Sequence, residues 1–317
     1  MKKKLILLLL SMMFLESRAQ QNIQYTQFML NDYGLNPAVA GSSKGWMFLF
    51  GRRAQWQGFA LAPETNFATV TKDFGKKGYR RYWHGVGASI EQDKSGAFSS
   101  KSASLSYAVH LKLSPKYHVS LGLAAGVKNV SVSNSIYDAA DPVLSNRVYS
   151  VVLPDITPGL YLYSKKIIAG VAVRNLYQSK LDQGKKEIGG NSRLYPNFYI
   201  SAGRKFVSGG YDFIFVPAVH VQTTFVNVPV VNFNCMTYFR KRVGFGLSYR
   251  MHDALAGILQ VRLFSNVVVG ISYDYTISRF ASAKANSTEF MFGFSPIMST
   301  ENYDRPSGAA NCPRFEL

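Results

Sequence analysis

Cysteine is almost missing from this sequence: Cys235 and Cys312 are the only two in 317 residues, far apart in the chain. Two cysteines cannot build a disulfide framework for a chain of this length; one bridge is permitted in an oxidising compartment, but nothing in the spacing demands it. Histidine is also scarce. His84, His110, His118, His220 and His252 form no compact ligand spacing with cysteine or carboxylate, so a metal centre has no sequence support. By strand parity, His110 and His118 fall on neighbouring strands and on the same face, close enough to approach each other. No Gly-x-Ser-x-Gly, phosphate loop or dinucleotide fingerprint occurs, and Ser, His and Asp are too dispersed to nominate a triad. The reading is therefore of a protein that is not an enzyme and carries no cofactor. Finally, after the first residues no apolar run reaches the ~20 residues that a membrane helix needs.

Acidic residues are few as well. Eighteen Asp and Glu stand against 36 Lys and Arg, a formal charge of +18. In a cytoplasmic protein that balance would suggest nucleic acid. The N-terminus argues otherwise. Lys2, Lys3 and Lys4 form a positive start, Leu5 to Leu15 an apolar stretch, and Ser17-Arg18-Ala19 places small residues where a signal peptidase reads. A mature chain beginning near Gln20 loses four cations and one anion, lowering the charge to +15. An exported chain meets no genome, so nucleic acid is not an expected partner. Lipopolysaccharide, anionic solutes or an acidic protein surface are the alternatives, beside the plain reading that the cations line a wet lumen and loops.

What the chain has in abundance is alternation. From Val267 to Thr276 every odd position is apolar or aromatic, while the even positions run Val, Gly, Ser, Asp, Thr. The same parity holds for Leu105, Tyr107, Val109 and Leu111 against Ser104, Ser106, Ala108, His110 and Lys112. It holds again for Val119, Leu121, Leu123, Ala125 and Val127 against Ser120, Gly122, Ala124, Gly126 and Lys128, and for Ile167, Ala169, Val171 and Val173 against Lys166, Gly170 and Arg174. Side chains of a strand alternate between faces, so each run has one greasy wall and one small or polar wall. About fourteen such runs appear: 45–53, 66–72, 84–92, 99–112, 117–132, 156–163, 166–175, 196–206, 211–222, 228–238, 243–250, 254–263, 267–277 and 288–296.

Several runs match the ~9–11 residues that cross a bilayer at a tilt. Tyr273, Tyr275, Phe292 and Phe294 gather near strand ends, as an interfacial girdle requires. The fold class read from the residues is all-β, a transmembrane antiparallel β-barrel of about 14 strands closed so that no edge faces lipid, with a polar lumen. A soluble two-sheet sandwich would also alternate and is the competing architecture. The expected organisation is a signal peptide over 1–19, an N-terminal periplasmic or plug-like segment over 20–44, a barrel over 45–296 and a tail over 297–317. Asn134–Asp155 and Leu176–Tyr195 read as the two long loops, where function often resides.

Several ordered motifs resemble one family. Gln24-Tyr25-Thr26-Gln27-Phe28-Met29-Leu30-Asn31 leading to Leu35-Asn36-Pro37-Ala38-Val39-Ala40-Gly41-Ser42 resembles the opening of the PorP/SprF family of type IX secretion proteins. Arg53-Ala54-Gln55-Trp56-Gln57-Gly58 with Ala62-Pro63-Glu64-Thr65 is similar to its second motif, and Gly85-Val86-Gly87-Ala88 with Asp93-Lys94-Ser95-Gly96 to its third. Tyr249-Arg250 with Asp253-Ala254, then Gly270 to Ser278, resemble the closing blocks. The chain departs from the pattern at Thr288-Glu289, where a His-Glu pair is usual, and at Leu194-Tyr195-Pro196-Asn197, which lacks a histidine.

The resemblance implies an outer-membrane component of type IX secretion that supports export or surface attachment of cargo, with gliding machinery as one setting. Its partners would be periplasmic ring and motor subunits, secreted cargo and outer-membrane lipid. The family-motif positions, structural or partner-binding, are Asn36, Pro37, Ala38, Gly41, Arg53, Gln55, Trp56, Pro63, Tyr273, Asp274 and Tyr275. Asn36-Pro37 suits a turn, Gly41 and Gly58 suit positive φ, and Trp56 suits an interface or a stack on Arg53. The alternative functions are a passive pore whose basic lumen selects anions, and a soluble periplasmic binding module.

Overall fold

The computed structural model describes residues 23–75, 81–132, 149–176, 182–183, 186–187, 194–208, 213–225, 227–264, 266–278 and 285–296. The expected signal peptide, the 297–317 tail and Cys312 lie outside them. Among the described residues the chain forms one closed antiparallel barrel of fourteen strands. They are β1 (Trp46–Gln57), β2 (Glu64–Phe74), β3 (Tyr82–Ser95), β4 (Phe98–Lys112), β5 (Tyr117–Val132), β6 (Tyr149–Ser164) and β7 (Ile167–Arg174). There follow β8 (Asn197–Arg204, continued by Phe206–Ser208), β9 (Phe213–Thr223), β10 (Val230–Phe239), β11 (Val243–Arg250), β12 (Ala254–Leu263), β13 (Val267–Thr276) and β14 (Asn286–Phe294). Each strand pairs with its sequence neighbours, and β1 pairs with β14 from Phe48↔Phe294 to Arg53↔Glu289, which closes the ring. Closure leaves neither the first nor the last strand as an open edge in lipid.

Parity decides which wall faces out. Leu105, Leu121, Phe245, Leu247, Ile271, Tyr273, Tyr275 and Phe290 are all exposed, while Ser106, Ser120, Ser272, Asp274 and Glu289 on the opposite faces are buried. A soluble sandwich would bury the first set between its sheets; here they form a continuous apolar exterior, the mark of a barrel in lipid.

One end of the barrel holds the start of β1, the end of β14 and the short turns 113–116, 165–166, 240–242 and 264–266; it is called the turn end. The other, the loop end, carries the connections 133–148 and 175–196. The barrel is lopsided: β3 to β6 run 14–16 residues, β11 to β14 only 8–10. Here one expectation is corrected. Tyr149–Asp155 is not loop but the first part of β6, paired from Val132↔Tyr149 to Gly126↔Asp155, with Val151 and Leu153 buried on its inner face. The apolar inner residues there pair as strand, whereas a surface loop would have left them wet.

A second correction concerns the interior. The lumen is not a wet, basic channel but a packed core, because residues 23–45 lie inside it. Tyr25, Phe28, Leu30, Leu35, Val39 and Ala40 are buried there against inward-facing Leu49, Phe67, Trp83, Ile214, Met236 and Met291. This explains why β9 breaks the clean alternation. Phe213 and Phe215 face lipid while Ile214 and Val216 on the other side meet the core, so both walls are greasy.

Glycine makes the close approach feasible. Gly41, at φ +77°, packs on the backbone of Gly85, and a Cβ added to Gly85 would overlap the Ala40 carbonyl. A Cβ at Gly122 would likewise strike the backbone of Ala38. Two outcomes are expected. Gly122→Val should destabilise the barrel by about 1–3 kcal/mol or more through overpacking, read as a lower heat-modification temperature and faster proteolysis of the N-terminal segment. Gly257→Ala, where an added Cβ meets nothing, should leave both unchanged. On the outer wall, Leu121→Arg should cost about 2–4 kcal/mol if that site sits near the bilayer midplane, measured by reversible unfolding from lipid vesicles.

Candidate functional site

Residues 23–45 behave as a strap threaded lengthwise through the barrel, and successive contacts trace its course. At the loop end Gln24 and Thr26 sit beside the last residues of β1 and the β13–β14 hairpin. At mid-barrel the Tyr33 and Ser106 hydroxyls share a 2.9 Å hydrogen bond. A single helical turn over Asp32–Leu35 is followed by a 3-10 turn over Pro37–Val39. Asn36 joins them in extended geometry. Its Oδ1 accepts from the Ala38 amide, and its Nδ2 donates to Leu160 O (3.0 Å) and Val171 O (3.4 Å). Pro37 opens the 3-10 turn, where its missing N–H costs nothing. Further down, Ser120 donates to Ala38 O (2.6 Å), Trp83 Nε1 to Gly41 O (3.0 Å), and the Gly45 amide to Asp73 (2.5 Å) at the turn end.

The upper anchor is ionic. Arg53, fully buried on β1, donates to Asp274 Oδ2 (2.8 Å), Glu289 Oε2 (3.2 Å) and Thr26 Oγ1 (2.9 Å). Arg250 reaches the same group, donating to Thr26 Oγ1 (3.0 Å), Asp274 (3.4 Å), Asp253 (3.0 Å) and Asn232. Glu289 accepts the backbone amides of Thr26 (2.9 Å) and Gln27 (2.8 Å), and Asn234 donates to Thr26 O (3.1 Å). Every polar group of Thr26 is thus held by the barrel wall. Because Arg53 and Glu289 are direct partners across the β1–β14 pairing, the same ion pair ties the strap to the closing seam.

A second cluster grips the strap from the opposite wall. Glu91 on β3 pairs with Arg174 on β7 (3.2 Å) and accepts the Tyr25 hydroxyl (2.8 Å), while Arg174 donates to Gly34 O (2.6 Å) and lies over the Tyr199 ring. An ionised carboxylate only accepts, so the Tyr25 phenol is the donor in this pair.

Nearer the turn end, His110 and His118 meet around Trp83 and Tyr163, as their parity suggested. Trp83 stacks on His110 at 5.1 Å and His118 on Tyr163 at 5.3 Å. His110 Nε2 lies 2.6 Å from Ala40 O and Nδ1 2.8 Å from the Tyr163 hydroxyl. A carbonyl only accepts, so Nε2 carries its proton toward the strap. Among the described residues no group of His, Cys, Asp and Glu is arranged to hold a metal; His110 serves as a strap contact.

The family-motif positions fall in four places: the strap, its ionic anchor, the loop end and the outer wall. Asn36, Pro37, Ala38 and Gly41 belong to the strap, and Arg53 and Asp274 to its ionic anchor. Gln55 and Pro63 are joined through a 2.8 Å backbone hydrogen bond at the loop end. Tyr273 and Tyr275 are exposed on the outer wall, where Tyr273 accepts from Asn286. Trp56 does not stack on Arg53, whose guanidinium turns inward to two carboxylates. The β1–β14 register breaks between Ala54 and Gln57, and Trp56, at φ +46°, lines a cavity at the loop-end mouth.

Glu289, Thr26, Arg250, Glu91, Arg174 and Asn234 complete the anchors without having been singled out as site positions. Four of the six are charges at lumen-facing positions of apolar strands, a signal present in the sequence. Only the fold shows that they converge.

Removing one partner of a buried, hydrogen-bonded pair costs about 3–5 kcal/mol because it strands the other charge. Arg53→Met should therefore destabilise the barrel by that order and expose the strap to protease. The triple change Arg53→Met, Asp274→Leu, Glu289→Leu should recover much of the loss in unfolding experiments, since no charge is then left alone.

No curated protein matches this chain in sequence. Among solved structures it is similar to the TodX monoaromatic hydrocarbon channel deltaS2S3 mutant (7% identity, 81% of this chain and 91% of that chain, TM-score 0.44). It is similar also to BamA from Haemophilus ducreyi lacking POTRA domains 1-3 (8%, 79% and 70%, TM-score 0.44), and to a Pseudomonas aeruginosa FadL homologue (10%, 82% and 91%, TM-score 0.42). The model of the family "Type IX secretion system membrane protein PorP/SprF" matches residues 17–294, which take in the strap and all fourteen strands. The chain belongs to the PorP/SprF family and is an outer-membrane β-barrel component of type IX secretion.

Proposed function

We propose that this barrel works by binding: it holds secreted cargo or a secretion subunit at its loop end, facing the cell exterior, while its turn end meets periplasmic ring or motor subunits. Mature protein would begin near Gln20 after signal cleavage, and residues 297–317 would form a periplasmic tail. Short turns on the periplasmic side and long loops outside are the usual arrangement of such barrels. The observation that carries this reading is the strap. A lumen filled by residues 23–45, anchored at Thr26 by four charged side chains, leaves cargo to be met by loops and the mouth rather than passed through the middle.

The anion-selective pore loses support for the same reason, and for a second one. Around the strap Arg53, Arg250, Arg174 and Lys128 face Asp274, Glu289, Asp253, Glu91, Asp93 and Asp155. Those ten groups carry no positive excess, whatever the charge of the whole chain. Gliding is the finer setting that the family name allows and is part of the proposal.

Deleting the gene should abolish or sharply reduce surface display of at least one type IX cargo, scored by surface proteolysis and secretome analysis. Normal display and normal gliding in the deletion strain would end the proposal. The purified barrel in planar bilayers should show no steady conductance, and stable anion-selective channels would instead favour the pore.

A further inference from the structure

Among the described residues the chain's excess of cations sits at the turn end. The turns 165–166 and 240–242 consist wholly of Lys and Arg, and Lys44, Lys72, Lys116 and Arg204 stand at the same end. The one carboxylate described there is Asp73, which accepts the Gly45 amide. Several of these cations rest on the aromatic band of the outer wall. Lys72 lies over Trp46 (4.7 Å), Arg204 over Phe206 (5.0 Å) and Arg240 over Phe239 (5.2 Å). Trp46, Phe206 and Phe239 are all exposed. A cation stacked on a girdle ring is held at the depth of lipid headgroups, with its stem against the apolar wall.

On the membrane side of the turn 240–242 the outer wall is dented. Two adjacent outward-facing rows cross β10 to β13 there: Thr237–Phe245–Leu259–Ile271 and Cys235–Leu247–Gly257–Tyr273. Gly257 alone in these rows lacks a side chain, and a Cβ added to it would meet nothing. Leu247 and Tyr273 rise on either side, and a groove of about 650 Å³ is left open to lipid. Thr237 in its upper row is three residues from Arg240, and Phe245 three from Arg242, a distance of ~10 Å along a strand.

We infer that this groove and the turn above it form a site for an anionic glycerophospholipid of the periplasmic leaflet. One acyl chain occupies the dent at Gly257, and the headgroup phosphate meets Arg240, Lys241 and Arg242. The side of the membrane rests on the orientation proposed above. Clustered cations at a membrane boundary attract anionic headgroups. Phospholipid is favoured over an acidic protein because charge and groove share the same strands, in the order in which one lipid carries phosphate and chain. The aromatic contacts also hold Arg240 and its neighbours at headgroup depth.

The test uses the full mature barrel in neutral detergent, with native mass spectrometry counting bound lipid during titration. The probes are phosphatidylglycerol and phosphatidylcholine with the same acyl chains. Phosphatidylglycerol is expected to saturate at about tenfold lower concentration. Combining Arg240→Gln, Lys241→Gln and Arg242→Gln should remove that preference. Gly257→Phe, which fills the dent from the lipid side, should weaken both lipids about fivefold. Lys116→Gln, on a turn away from the groove, should bind like the parent.

Equal retention of the two lipids by the parent, or groove and turn variants that bind as the parent does, would overturn the inference. So would displacement of phosphatidylglycerol by soluble polyglutamate, which would make the turn a surface for acidic protein. Preference for lipopolysaccharide over phosphatidylglycerol would overturn the assignment together with the proposed orientation. Lost lipid preference with intact cargo display would leave the secretion role standing and remove this site alone.

Discussion

The pairing of β1 with β14 is the constraint on which the remainder hangs. A sheet in lipid cannot leave its first and last strands open, because each unpaired N–H and C=O there has no water to turn to. In this chain the closing seam is also where charge is concentrated. Arg53 of β1 faces its register partner Glu289 of β14, Asp274 of β13 stands beside them, and Thr26 of the strap is bound by all three. Such a cluster adds little stability compared with a well-packed apolar substitute. What it supplies is register: a one-residue slip at the seam would turn Arg53 toward lipid and leave Glu289 in the core without its cation.

Filling the lumen follows from the same geometry. Fourteen strands enclose more room than inward side chains of ordinary size can occupy, particularly with glycine at Gly85, Gly87, Gly122, Gly159 and Gly170. Those glycines leave grooves, and the strap lies in them with its turns at Asn36 and Gly41. Small wall residues, the bends of the strap and the buried aromatic cluster around Trp83 and His110 are thus one packing solution. Lipid-facing leucines and aromatics complete it from outside.

The strap also separates the two ends of the protein. At the turn end it enters β1 through Gly45 and Trp46; at the loop end its first described residues lie beside the ends of β1 and β13. Recognition surfaces can then differ on the two sides of the membrane while the wall between them remains rigid. The long strands β3 to β6 rise on one side of the mouth, and the shorter β11 to β14 bound the other.

Period-two alternation, legible along the chain in runs such as 119–127 and 267–276, determined by itself that this would be a sheet with one greasy wall, and the length and number of the runs pointed to a closed barrel. The ordered motifs named the family with Arg53 and Asp274 among their positions, and Asp274 was visible as a charge on the polar wall of its run. Tertiary structure alone decided that the inside is dry. No local pattern tells whether a Ser-, Gly- and Asp-bearing face meets water or another part of the same chain, because both satisfy the same polar groups. Sequence alone leaves the strap either periplasmic or plug-like until Gly122 and Ser120, some eighty residues away, are seen to receive Ala38. Convergence of Arg53, Arg250, Asp274 and Glu289 on one threonine is likewise a property of the closed ring, since residues more than two hundred positions apart meet only when the first strand finds the last.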